Sequence, residues 1–389
     1  MALTDWNQTA PTEYLNIEVH LRRDTRGNLV GEINLPLGEN FRRVLPEPPY
    51  GELVEVGRAA FHFGEPAVQM YGRRLFEWLF GEGLREGFQK VRMMVADSSR
   101  SRWRLHIRLG QGLPEQLHAL RWESMHYTKD EWWLGLETAF ARTSAASGFG
   151  SSLLTDRPFR LMAAATTATN QVEQPALHLN SLLSTFNKTI FRPLGQLITQ
   201  RFAYPPLTFR QLTEFFEGSK DDGCHFAVIC GRVGAENGRP FFWFDTEAGE
   251  STPVDWNDVV DVIDKPRAPA LILILAQPSG TSWDPTRLPL RLAPDCIKRG
   301  TRGVLEVVGP MSDEDFRTFG EAFFTRFLQT GAVDDAVAAG RRELFTANPH
   351  GWEWTYPVLT LHSSDDAQQF YLLPESLESM LGSIKSRAR

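Results

Sequence analysis

Two segments near the start of the chain alternate apolar and polar residues. YLNIEVHLRR and NLVGEINLPL flank the short polar stretch DTRGN, a pattern typical of a β-hairpin. Farther along, the apolar residues of VQMYGRRLFEWLFGEGLREGFQKVRMM recur every three or four positions, which predicts an amphipathic helix interrupted at GEG. WRLHIRLGQG alternates again, with Trp103, Leu105 and Ile107 on one face and His106 and Arg108 on the other. We therefore expect a strand there with one polar or solvated face.

The second half of the chain changes to an alternation of strand and helix patterns. Short apolar runs such as FRLMAAATTA, QLITQRFAY, APALILILA and TRGVLEVVG are separated by helical patterns. The helical patterns include ALHLNSLLSTFNKTI, LTFRQLTEFFEG with Thr208 as its N-cap, and a helix capped by Ser312. This alternation predicts an α/β fold with a mostly parallel sheet and helices on both faces. A Ser/Gly-rich stretch near residues 143–155 is the best candidate for a boundary between the halves.

One apolar run, from His225 to Cys230, is followed directly by Gly-Arg-Val-Gly. Its unbroken apolar character predicts a strand buried on both faces, next to the 270–276 strand at the centre of the sheet. We interpret Gly-Arg-Val-Gly as a turn at the carboxyl end of this strand, where open α/β sheets place their ligands. The side chain in that turn is Arg232, which can hold an anion but cannot act as a general base.

Composition narrows the classes of function. The 389 residues are 42% hydrophobic and 23% charged, as in an ordinary globular protein. A net charge of −7 argues against a nucleic-acid-binding surface. Three cysteines do not form a disulfide framework and indicate a reducing, cytoplasmic environment.

Membrane, metal and cofactor sites are not expected either. The longest apolar run, Ala268–Ala276, is far shorter than the ~20 residues that span a bilayer, and the first residues lack the pattern of a signal peptide. The nine histidines show no metal-ligand spacing. The stretch GRVGAENG lacks the lysine and the helix start of a phosphate loop. We therefore expect no membrane partner, no metal and no cofactor.

Short signatures along most of the chain resemble, in order, those of the CHAT family of caspase-like and separase-like peptidases. The matching stretches are GRRLFEWLF at Gly72–Phe80, LHIRL, LRWESM with Trp122 and Glu123, AFART with Arg142, FRLMAAAT, LTFRQL, FGEAFFTRFLQTG, AVAAGRRELF and WEWTYPVL. In LRWESM, Arg121 replaces the proline of the family's LPWExL. The resemblance implies a caspase-like three-layer fold over residues 156–375. A β-rich CHAT-associated region over residues 1–145 would precede it, and a tail over residues 376–389 would follow.

Both catalytic positions of that family carry other residues in this chain. The family's HFxGHG has its catalytic histidine directly after a glycine; VICGRVG keeps Gly231 and has Arg232 at the histidine position. The family's LNACxSG supplies the nucleophilic cysteine; ILAQPSG keeps Ser279 and has Gln277 at the cysteine position. We therefore expect no His/Cys dyad here. Gly231, Arg232, Gln277 and Ser279 become candidates for binding rather than catalysis.

The resemblance then implies a catalytically inactive pseudo-peptidase that acts as a protein-interaction or regulatory module with a protein partner. Relatives of this kind resemble components of bacterial defence or signalling assemblies, in which a partner carries the activity. Arg232 and Gln277 would offer a guanidinium fork and a carboxamide to a carboxylate or a peptide backbone. A plainer interpretation is that Arg232 pairs with an acid of its own chain and that the groove has no ligand.

The alternative is an active cysteine peptidase with a relocated or misaligned dyad. His225 and Cys230 are five positions apart in one strand, so they point to opposite faces and lie ~16 Å apart. Cys224 follows acidic residues that would raise its pKa, and Cys296 is expected to be a buried structural residue. A relocated hydroxyl nucleophile at Ser279 has no candidate base, since Arg232 cannot serve.

Overall fold

The computed structural model describes residues 13–35, 38–53, 65–96, 101–110, 112–129, 131–144, 159–166, 198–203, 206–218, 224–236, 239–264, 269–278, 292–309 and 311–363. Its strands are β1 (Glu13–Arg23), β2 (Leu29–Asn34), β3 (Asn40–Val44), β4 (Ser101–Leu109), β5 (His126–Tyr127), β6 (Trp132–Trp133), β7 (Ala139–Ser144), β8 (Phe159–Ala165), β9 (Ile198–Ala203), β10 (Phe226–Glu236), β11 (Arg239–Asp245), β12 (Ser251–Asp255), β13 (Leu271–Pro278), β14 (Gly303–Val308) and β15 (Pro357–Leu361). Its helices are α1 (Glu65–Leu79), α2 (Leu84–Ala96), α3 (Glu115–Ala119), α4 (Leu134–Glu137), α5 (Phe209–Glu217), α6 (Trp256–Asp264), α7 (Leu292–Lys298), α8 (Asp313–Thr330) and α9 (Val333–Ala347). The helix predicted from ALHLNSLLSTFNKTI, most of the Ser/Gly boundary and the tail lie outside these residues.

Thirteen described strands form one sheet. The order is β12-β11-β10-β13-β14-β15-β7-β4-β1-β2-β3, and β8 joins β10 and in turn carries β9. The strands β9, β8, β10, β13 and β14 are parallel to their neighbours in this group. Antiparallel hairpins extend the sheet at its two ends. The predicted α/β fold with a mostly parallel central sheet is confirmed, as is the adjacency of the two apolar strands β10 and β13.

Helices cover both faces of this sheet and make three layers. Leu271, Leu273 and Leu275 of β13 belong to a large core cluster that includes phenylalanines of α8. Ile272 and Ile274 belong to a small core cluster with apolar residues of α5, α6 and α7. Because both faces of β13 are covered, its sequence shows no polar alternation.

Two helices begin at the predicted capping residues. The hydroxyls of Thr208 and Ser312 accept hydrogen bonds from the amides of Gln211 and Asp315, whose side chains bond back to the cap amides. This reciprocal arrangement satisfies amide donors that have no partner inside the helix.

The polar face of β4 is buried where it meets α9. Arg104 and His106 are each 1% exposed, and both contact the carboxylate of Asp334 in the first turn of α9. The sequence left open whether this face of the strand is solvated or polar and buried. At Arg104 and His106 it is polar and buried. Arg108, farther along the strand, is partly exposed.

The β-rich first half and the second half share this one sheet. Strand β7 is parallel to β15 and hydrogen-bonded to it, and the ring of Trp133 contacts that of Trp354 with centroids 5.1 Å apart. The large core cluster likewise contains residues from both halves. The division into residues 1–145 and 156–375 stays a prediction, and the sheet runs across it.

Candidate functional site

Arg232 and Gln277 lie side by side on neighbouring parallel strands. Arg232 of β10 is the register partner of Gln277 of β13, one pair beyond Gly231 and Ala276. Neighbouring parallel strands run in the same direction, so equivalent positions near their carboxyl ends meet at one edge of the sheet. Arg232 and Gln277 were predicted to converge on adjacent strands, and their register confirms that they are neighbours. Ser279 lies outside the described residues.

The prediction that Gly-Arg-Val-Gly forms a turn is wrong. Strand β10 continues to Glu236, and its last residues pair with β11, Val233 opposite Phe242 and Gly234 opposite Phe241. Strand β11 supplies hydrogen-bond partners for the backbone amides and carbonyls of these residues, so they stay extended. Arg232 therefore projects from a strand, which fixes its direction more firmly than a loop would.

Gly231 is required by close packing. A β-carbon at this position would stand 2.5 Å from both Cε1 of Phe242 and Oγ1 of Thr166. Thr166, which directly follows β8, forms hydrogen bonds to β10 and β11 at this point. Its amide donates to the carbonyl of Cys230 at 3.0 Å, and its hydroxyl donates to the carbonyl of Trp243 at 2.9 Å. Close packing therefore explains why a glycine stands at position 231, without reference to any ligand.

Arg232 is a cation without an acidic partner among the described residues. Its side chain is partly exposed, and its Nε is buried and has no hydrogen-bond acceptor in the described part of the chain. A buried donor that stays unpaired costs about 1–3 kcal/mol. The plainer interpretation, in which Arg232 pairs with an acid of its own chain, therefore has no such acid among the described residues. Gln277, beside it, is also partly exposed.

The cysteines are placed as structural residues. All three are buried and none forms a disulfide. Burial raises the pKa of Cys224 to about 12, and burial also raises the pKa of Cys230. A nucleophilic cysteine needs the opposite shift, toward the thiolate. These observations count against the alternative of a relocated cysteine nucleophile at Cys224 or Cys230.

His225 is not arranged as a general base either. Its Nδ1 accepts a hydrogen bond from the backbone amide of Arg160 at 3.0 Å. Burial lowers the pKa of His225 to about 4, and the nearby Arg160 charge acts in the same direction. The imidazole therefore serves to join the starts of β8 and β10.

We expect the native thiols to be unreactive. In the folded protein, an aromatic disulfide reagent should label none of Cys224, Cys230 and Cys296 on the time scale on which denatured protein is labelled, because burial disfavours the thiolate. The measurement is the time course of released thiolate with and without denaturant. Replacing all three by alanine should leave any proteolytic activity of a preparation unchanged. Rapid labelling of one thiol in the native state, or loss of activity in the triple variant, would speak for a cysteine enzyme.

Two of the short sequence signatures are joined by a buried ion pair. Arg142 of AFART donates from Nε and Nη2 to both carboxylate oxygens of Glu123 of LRWESM, at 3.0 and 2.8 Å. It also donates to the backbone carbonyls of His118 and Leu120. Burial acts to raise the pKa of Glu123, but the Arg142 guanidinium outweighs it and holds that pKa below its usual value. The ion pair therefore joins two stretches of the chain whose pairing is not evident from the sequence.

No family model matches the chain, and a comparison with curated proteins also found no match. The likeness to CHAT peptidases rests on the sequence signatures and stays a prediction. In the described part of the chain, no helix is long and apolar enough to cross a membrane.

Proposed function

We propose that this protein is a catalytically inactive, CHAT-like pseudo-peptidase that binds an acidic group of a partner protein at Arg232 and Gln277. The observation that carries the proposal is the register of these two residues on β10 and β13, combined with the absence of an acidic partner for Arg232 among the described residues. A guanidinium beside a carboxamide offers several parallel N–H donors, which suits a carboxylate. Binding rather than catalysis follows because neither side chain can take up a proton as a base.

The proposed biological setting rests on the sequence signatures. The order of signatures favours a protein of a bacterial defence or signalling assembly, with its activity carried by the partner. A cytoplasmic location is consistent with three cysteines that form no disulfide with one another. The net charge of −7 disfavours nucleic acid as the partner.

The proposal predicts that Arg232 selects a carboxylate. Fluorescein-labelled hexapeptides with one central aspartate should bind about 30-fold or more tightly than matched peptides with asparagine, measured by fluorescence anisotropy. Truncating one member of a desolvated, hydrogen-bonded charge pair costs about 2–5 kcal/mol, and each ~1.4 kcal/mol is a factor of ten. Arg232→Ala should therefore abolish the preference. Arg232→Lys should restore only part of it, because an ammonium does not reproduce the bidentate geometry.

Arg239→Ala provides the matched control, since Arg239 is an exposed arginine on the adjacent strand β11. It should keep the preference for aspartate. Arg232 lies outside both core clusters, so its replacement should change the free energy of unfolding by no more than about 1 kcal/mol. Equal binding of the aspartate and asparagine peptides would contradict the proposal. A variant that binds normally but unfolds more easily would show that Arg232 is structural.

A further inference from the structure

Four strands align one position each along the edge of the sheet at which Arg232 lies. Arg232 and Gln277 are register partners on β10 and β13. The register of β13 with β14, continued by one position, aligns Gln277 with Gly309. The register of β14 with β15, continued by two positions toward the start of β15, aligns Gly309 with Thr355. The ends of this row are three strand spacings apart, about 14 Å at ~4.8 Å each.

A buried arginine stands at the far end of this row. Nη1 of Arg121 donates to the carbonyl of Thr355 at 3.4 Å, and within the described part of the chain the side chain forms no other hydrogen bond and no ion pair. Its guanidinium carbon lies 5.6 Å from the centroid of the Tyr356 ring. That ring packs on Gly309 so closely that a β-carbon there would overlap it. Arg121, which has five N–H donors, thus reaches the row with a single long hydrogen bond.

The charge of Arg121 has no carboxylate of its own among the described residues. Both oxygens of Glu123, two positions along the chain, accept from Arg142. The carboxyl group of Glu306 accepts from backbone amides at the start of α7. Burial lowers the pKa of Arg121, which is 5% exposed, and the nearby acidic groups do not fully offset this effect. A buried charge is unfavourable unless it is paired, so a carboxylate that binds at Arg121 would stabilise it.

Two further acids close to the row have partners of their own. Burial raises the pKa of Tyr356, and the charges of Glu353 and Asp315 act in the same direction, which places both acids near its ring. Asp315 accepts hydrogen bonds from the amide and the hydroxyl of Ser312. Glu353 accepts one from the side-chain amide of Asn348 at 3.4 Å. Neither acid therefore supplies the counter-charge of Arg121.

We infer that this two-arginine row, made by Arg232, Gln277 and Arg121, binds an extended segment of the partner protein that carries two acidic residues four positions apart. The inference rests on the proposed function and adds a second acidic residue to the recognised motif. In an extended chain, side chains four positions apart point the same way and are spaced by about 13 Å, close to the ~14 Å length of the row. Gln277 lies between the two arginines and can both donate to and accept from the backbone of the bound segment.

The two arginines differ in exposure, and this difference sets their order of binding. Arg232 is partly exposed, so it holds the first carboxylate. Arg121 is recessed, and it holds the second carboxylate once the segment is already tethered at Arg232. Tethering turns this second contact into an intramolecular one, which raises the affinity of a segment whose spacing is correct.

The test uses fluorescein-labelled nonapeptides with the same serine and glycine flanks and measures binding by fluorescence anisotropy. Their five-residue cores are Asp-Gly-Ser-Gly-Asp, Asp-Gly-Ser-Gly-Asn, Asn-Gly-Ser-Gly-Asp, Asn-Gly-Ser-Gly-Asn and Gly-Asp-Ser-Asp-Gly. The last core has the composition and charge of the first, but its aspartates are only two positions apart. On the unaltered protein, the Asp-Gly-Ser-Gly-Asp peptide should bind at least about tenfold more tightly than each of the others, which is ~1.4 kcal/mol.

Arg121→Gln should remove this tenfold gain and keep the preference for a single aspartate over none, since that preference belongs to Arg232. Arg342→Gln is the matched control. It changes another buried arginine, whose Nη1 donates to the carbonyl of Leu136 at 2.7 Å, and it should keep the gain.

The outcomes separate this inference from the proposed function. A preference for one aspartate over none, without any gain from a second, overturns the inference and leaves the proposed function intact. Equal affinity for the two cores of identical composition also overturns it, because net charge rather than spacing would then be recognised. Equal binding of all five peptides removes both. Because the series is read on the unaltered protein, poor folding of Arg121→Gln does not make the result ambiguous.

Discussion

Replacing Asp334 by asparagine is expected to lower the free energy of unfolding by about 3–5 kcal/mol. The reason is that the buried side chains of Arg104 and His106 lose the carboxylate that they contact. Arg104 donates to Asp334 from Nε and Nη2, at 2.5 and 3.1 Å, and Nε2 of His106 lies 3.2 Å from Oδ2. Side chains of Arg104 and Asp334 are 1% and 0% exposed. Burial acts to raise the pKa of Asp334, but the charge of Arg104 outweighs it and holds that pKa below its usual value. The carboxylate also stands in the first turn of α9, where the helix dipole favours a negative charge.

The effect should be measured by urea unfolding with linear extrapolation. Glu314→Gln is the matched control, since its ion pair with Arg317 lies on the surface of α8 and its side chain is 68% exposed. Exposed pairs contribute only about 0–1 kcal/mol. The double variant Arg104→Met with Asp334→Asn should be more stable than Asp334→Asn alone, because no uncompensated guanidinium remains. An Asp334→Asn protein within about 1 kcal/mol of the original would mean that the cluster is not what joins α9 to β4.

The second large effect is a dependence of stability on pH that originates at Glu306. This residue lies in the middle of β14, is 1% exposed, and its Oε1 has no hydrogen-bond partner among the described residues. Burial raises the pKa of Glu306 to about 7, although Arg142 and the backbone amides of Ala293 and Leu292 act in the opposite direction. At pH values between the usual pKa of 4.5 and about 7, Glu306 is therefore protonated in the folded protein and ionised in the unfolded chain.

The sign follows from this difference in bound protons. Between about pH 4.5 and 7 the folded state binds more protons at this group than the unfolded state, so the contribution of Glu306 to stability falls as pH rises. The change corresponds to roughly 3 kcal/mol, because the pKa moves from 4.5 to about 7 and each pKa unit is worth about 1.4 kcal/mol. Glutamine is permanently neutral and nearly isosteric. Glu306→Gln should therefore match the original protein near pH 4.5 and exceed it by roughly 3 kcal/mol at pH 8.

The measurement is the difference in the free energy of unfolding between the two proteins across this pH range. Glu321→Gln, on the partly exposed side of α8, should show a flat difference. If the difference for Glu306→Gln is also flat, Glu306 is ionised in the folded protein at all these pH values and is compensated more fully than the described contacts indicate.

Periodicity predicted the local elements well because it depends on neighbours in the chain. The interruption at GEG separates α1 from α2, the capping residues Thr208 and Ser312 mark helix starts, and the apolar runs became β10 and β13. Even the pairing of Arg232 with Gln277 was within reach of sequence reasoning. Both residues directly follow apolar runs that predict two adjacent parallel strands, so these positions are expected to be neighbours.

The end of β10 was beyond that reasoning. The residues Gly-Arg-Val-Gly contain two glycines, which locally favour a turn, yet they are extended because β11 pairs with them. Propensity is a weak guide where a partner strand supplies the hydrogen bonds.

By itself, then, the sequence determined the fold class and the order of most strands and helices. These follow from patterns within a few residues of one another. Only the tertiary structure decided which polar residues are buried together. Arg104 is 230 positions from Asp334, and Glu123 is 19 positions from Arg142, so no local period relates them. A buried charge is tolerated only beside its partner, and the long-range packing of α9 on β4 and of β7 on its neighbours determines which partner that is.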